Sequence, residues 1–218
     1  MAYGYRTRKR RFRRRRYRRS RRSRFTSTLI PTTKAVKLRY VESVSQDSST
    51  PGNIVFRRFN LNSLFDPSVS TGGHQPMGFD IWSEFYSEYI VVGAKVTLKI
   101  NPTTNNSIIG MTLLPSAATM PTDSRVLCEQ KYTKFIPVSS QSAPSKFLKY
   151  TYSPKRWFGV SNVTDNDELW AKTDENPAES AHIAIWAAPQ GPAAVSARIW
   201  ATITYLAIFR GPKVQGLN

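Results

Sequence analysis

The sequence predicts an all-β fold, an eight-stranded antiparallel jelly roll of two packed sheets with one short helix, preceded by a disordered basic arm. Three observations carry this reading. Eight segments either alternate apolar and polar residues with the two-residue period of a strand or run apolar throughout. Long turn-rich loops, not tight hairpins, separate them, which favours two packed sheets over a simple meander. Finally, fourteen of the first 24 residues are Arg or Lys and none is Asp or Glu, so the charge sits outside the patterned part.

The arm and linker span 1–32 and the ordered domain spans 33–218. Residues 25–33 mix Ser and Thr with Pro31 and read as a linker. From Lys34, Val36, Leu38 and Tyr40 alternate with Lys37 and Arg39. A second strand, 53–61, follows the turn dipeptide Pro51-Gly52 and spaces Val55, Phe59 and Leu61 around Arg57. After a Pro, Gly and Ser-rich loop, Phe79, Trp82, Phe85, Tyr86 and Tyr89 recur at three- and four-residue intervals, which predicts the helix, with Asp80 as its cap. These aromatics are expected to pack in the core or against a loop. The strand 90–101 alternates Ala94, Val96, Leu98 and Ile100 against Lys95, Thr97 and Lys99. Continuous apolar character at 107–114 predicts burial on both faces. Strands at 132–138, 146–152, 182–188 and 196–209 complete the eight.

About 194 residues outside the arm suffice for one domain with a sizeable core. One cysteine, Cys128, allows no intrachain disulfide and points to assembly in a reducing compartment. The basic N-terminus has no apolar segment after it to make a secretory signal. The longest uncharged stretch, 100–122, is interrupted by Pro102, Pro115 and Pro121, so no membrane insertion is expected.

Catalytic and cofactor chemistry find little support. His74 and His182 lie far apart with no partner at ligand spacing, and His182 reads as a satisfied strand-end histidine. Cys128 lacks a nucleophile motif and reads as a packing residue. The carboxylates Asp165, Asp167, Glu168, Asp174 and Glu175 match no calcium loop and read as a solvated loop or a subunit contact to a basic patch. Gly72-Gly73 lacks the spacing of a phosphate cradle. The expectation is a protein that is not an enzyme, with no cofactor and no metal.

The arm remains. Fourteen cations account for most of the formal net charge of +18 and leave about +4 on the rest. Their mutual repulsion is expected to keep the arm unfolded until it meets a polyanion. The guanidinium and ammonium groups of Arg6, Arg8, Lys9, Arg10, Arg11, Arg13, Arg14, Arg15, Arg16, Arg18, Arg19, Arg21, Arg22 and Arg24 suit phosphate oxygens. Tyr5, Phe12 and Tyr17 interrupt the run, and their faces can stack on unpaired bases, so single-stranded nucleic acid fits better than a duplex. No base-edge reader stands out, so binding should be sequence-indifferent and steeply salt-dependent. A nuclear import signal is a compatible second role. Lys37, Arg39, Arg57 and Arg58, on the first two strands, are candidates for an interior basic surface that extends the arm.

Four segments add a resemblance: the Arg-rich arm, QPMGFDIWSEFYSEYIVVGAKVTLKI at 75–100, SPKRWFGVSN at 153–162 and ARIWATITYLAIFRGPK at 197–213. Together they resemble the capsid proteins of small circular single-stranded DNA viruses, the circovirus-like group. The resemblance implies a jelly-roll subunit that self-assembles into an icosahedral shell of about 60 copies, arms inward, around single-stranded DNA. It also implies a virion location, passage through the host nucleus by the nuclear import machinery, and a cell-surface receptor whose contact loop the sequence does not assign. Similar segments occur in capsid proteins of some small RNA viruses. The residues alone leave open a cellular nucleic-acid-binding protein with a β-sandwich interaction domain.

Overall fold

A computed structural model describes residues 30–47, 52–70, 73–116, 118–139, 145–191 and 194–213, without the side chains of 102–104. Residues 1–29 of the arm and linker, with every cation assigned to the arm, lie outside the described residues. Two antiparallel sheets face each other. The first runs β1 (Thr33–Asp47), β9 (Ser196–Pro212), β3 (Tyr86–Thr104) and β6 (Lys146–Tyr152), with the two-residue β7 (Ala171–Lys172) also paired to β3. The second runs β2 (Val55–Asn60), β8 (Ala181–Pro189), β4 (Ser107–Pro115) and β5 (Thr133–Val138). First and last strands pair in one sheet, and the chain crosses between sheets at every step except β4 to β5 and β6 to β7, the connectivity of a jelly roll.

The core fills the space between the sheets. Leu38, Tyr40 and Val44 from β1 and Ile199, Ile203 and Tyr205 from β9 meet Phe59, Met111, Ile183 and Ile185 from the other sheet. β4 is buried on both faces, as its unbroken apolar run predicts. The reason is a helix that the sequence reading did not foresee: α2 (Ser124–Glu129), capped by the Asp123 carboxylate accepting from the Arg125 N–H at 2.8 Å, lies on the outside of this sheet. Its Leu127, with Cys128 partly covered beside it, closes a second cluster over Trp186 and Ala188.

Three sequence expectations need correction. The aromatic helix, α1 (Phe79–Phe85), ends before Tyr86 and Tyr89, which lie on β3 paired to β9 at Pro212 and Phe209. Phe79, Trp82, Tyr86 and Tyr89 share spacing because all four surround the Phe209 ring, with centroids 6.1–6.2 Å away. Asp80 caps nothing; Gly78, with φ of 87°, occupies the cap in a conformation that a side chain would strain. α1 is also not the sole helix, since α2 and the single turn α3 (Pro154–Trp157) join it.

Candidate nucleic-acid interface

The described chain enters the fold along the first sheet. Ile30 packs against the core, the Tyr86 hydroxyl donates to the Pro31 carbonyl at 2.9 Å, and the Lys34 ammonium lies 5.9 Å from the Trp82 ring centre. These contacts fix the point at which the arm joins β1.

β1 alternates, so its inward residues build the core and its outward ones face solvent. Register then aligns the outward residues of four strands into rows. Arg39 stands beside Thr204, Lys95 and Thr151. The next row holds Val41, Thr202, Thr97 and Lys149. After it come Ser43, Trp200, Lys99 and Phe147. Lys37 with Leu206 and Gly93 lies at one end of the set, Ser45 with Arg198 and Asn101 at the other. The six cations Lys37, Arg39, Lys95, Lys99, Lys149 and Arg198 are exposed, and none forms an ion pair among the described residues. No carboxylate occupies an outward position in these rows. A depression of about 620 Å³ opens in the face, rimmed by Lys37, Arg39 and Lys95 over a floor with the hydroxyls of Thr97, Thr202 and Thr204.

The four basic residues singled out on the first strands therefore do not form one surface. Lys37 and Arg39 belong to the outward face of the first sheet, whereas Arg57 and Arg58 are on β2 in the second. Arg57 points inward and binds the Glu42 carboxylate at 2.6 Å. The Tyr40 hydroxyl donates to the same carboxylate. Burial, and then Glu42, push this phenol far above its usual pKa, so it remains a donor. Arg58 donates to the Ala118 carbonyl at 2.5 Å and lies 5.5 Å from the Phe56 ring centre. Both guanidinium groups thus serve structural contacts.

Most of the remaining sequence candidates find ordinary partners. Asp165, Asp167 and Glu168 lie on two 3₁₀ turns, Val163–Asp165 and Asp167–Leu169, held from within the chain by Arg210. Its guanidinium binds Glu88 at 2.5 Å, approaches Asp167 at 3.7 Å and covers the Trp170 ring at 3.8 Å. No group of three His, Cys, Asp or Glu suited to a metal occurs among the described residues. His74 stacks on Tyr40 with centroids 4.5 Å apart. His182 is buried, but it is not satisfied: Nδ1 has no partner among the described residues, and burial followed by the nearby Arg58 charge lowers its pKa. Burial raises the pKa of the partly covered Cys128 thiol. No helix among the described residues is long and apolar enough to cross a membrane.

Lys95, Lys99, Lys149, Arg198, Trp200 and Phe147 are the residues that sequence reasoning passed over. Alternation along each strand marks them as outward, but strand order and register, which bring them to one face, are properties of the fold.

No family model and no curated protein sequence matches the chain. Among solved structures it is similar to tobacco necrosis virus, at 15% identity and a TM-score of 0.51, over 85% of this chain and 86% of that one. The chain has the jelly-roll fold of viral capsid proteins. Turnip yellow mosaic virus matches at 11% identity and a TM-score of 0.48, covering 88% and 89% of the two chains. A decameric BFDV capsid protein matches at 13% and 0.47, covering 82% and 99%.

Proposed function

We propose that this chain is a viral capsid subunit that self-assembles into a small icosahedral shell and packages a single-stranded DNA genome through its Arg-rich arm. The observation that carries the reading is the attachment of fourteen cations to the first strand of a capsid-type jelly roll. Residues 33–218 form the wall and residues 1–32 the genome-binding leader. In a shell of about 60 copies the arms hold about 840 cationic groups, which neutralise a comparable number of phosphates by releasing their counterions. The aromatic rings spaced through the arm favour a single strand. The resemblance to circovirus-like capsids supports DNA over RNA, import into the host nucleus for assembly, and a receptor contact on an outer loop of the virion.

Electron microscopy of the purified full-length protein tests the reading. Closed particles about 20 nm across are expected from symmetric assembly of a domain this size. Sequencing of the nuclease-protected nucleic acid should return single-stranded DNA. A protein that stays monomeric and ignores oligonucleotides at low salt overturns it.

A further inference from the structure

We propose that the outward face of the β1-β9-β3-β6 sheet is a second contact for the packaged single strand, in which Trp200 and Phe147 stack bases while the surrounding cations hold phosphates. The inference rests on the reading that this chain encloses nucleic acid, and adds a folded site to the arm.

Charge is the first argument. Six exposed cations share the face, no carboxylate interrupts their rows, and none is paired among the described residues. A polyanion is the complementary occupant. The aromatic pair is the second. Trp200 is 49% and Phe147 57% exposed, in one cross-strand row with Lys99 between them. Two strand spacings separate them, about 10 Å. That arrangement alternates ring, cation, ring, matching the alternation of base and phosphate along an extended strand. The depression supplies the third. Lys37, Arg39 and Lys95 rim a floor of threonine hydroxyls, which donate to phosphate oxygens without reading sequence. Continuity is the fourth: β1 carries Lys37 and Arg39 and is the strand to which the arm is joined, so one nucleic-acid strand can leave the arm and continue onto the face. A second copy of this chain is the competing occupant, but cores of protein interfaces are depleted in Lys, and four of these six cations are Lys.

Ultraviolet cross-linking of assembled full-length particles, followed by mass-spectrometric mapping, tests the site. Cross-links are expected on the peptides carrying Phe147 and Trp200 as well as on the arm. In the full chain, Lys95→Gln/Lys99→Gln/Lys149→Gln changes only exposed side chains and should lower the log–log salt slope of oligo-dT binding by about 2, from about 0.7 per lost phosphate contact. Particles that contain nucleic acid but cross-link only through residues 1–29 overturn this inference and leave the capsid reading standing. Lysines 95 and 99 shielded from an amine-reactive label in empty shells show that a second copy covers the face, and also overturn it. Particles with no nucleic acid at all overturn the packaging reading itself.

Discussion

Gly110 and Trp186 show how closely single side chains constrain the fold. They are cross-strand partners on β4 and β8, and a Cβ added at Gly110 would lie 2.2 Å from the indole. The indole cannot withdraw, because its Nε1–H donates to Thr112 Oγ1 at 2.9 Å and Leu127 closes over it. Gly110→Ala should therefore cost about 1–3 kcal/mol, visible as a lower melting temperature of the subunit. His182 makes a pH prediction. Its folded pKa is below the usual 6.5, so as pH falls through that value the unfolded chain takes up the proton first and stability declines until the folded pKa is reached. Chemical denaturation between pH 7 and 5 should show this slope, and His182→Asn should remove it.

At the scale of elements, strands were legible and helices only in part, α1 being extended too far and α2 missed. The four pairs Val36/Lys37, Leu38/Arg39, Val96/Thr97 and Leu98/Lys99 all point as alternation predicts, because a two-residue period survives whatever the strand pairs with. Tyr86 and Tyr89 misled because three- and four-residue spacing also arises when a helix and the strand after it converge on one ring, here Phe209. α2 escaped because its six residues show too little periodicity. Yet α2 covers Trp186 and Ala188 on the outer side of the second sheet. Leu127→Ala removes a fully buried side chain and should destabilise the subunit by about 2–5 kcal/mol in urea unfolding, while Val126→Ala, on the exposed side, should cost much less.

Across the whole molecule, the charge divides by location. Carboxylates gather near the Arg210 end of the first sheet, the rows beyond it are cationic, and the leader carries the largest share. Composition alone revealed the leader and pointed to nucleic acid. It did not reveal that Arg57 is held by Glu42, since a half-buried ion pair between sheets depends on which strands cross the sandwich. The most direct test of the account is the nucleic-acid content of nuclease-treated, gradient-purified particles, read from absorbance at 260 and 280 nm, for the full chain and for a chain lacking residues 2–24. Closed shells in both cases, filled in the first and largely empty in the second, are the predicted result. Equal content in the two, or no particles from the full chain, contradicts it.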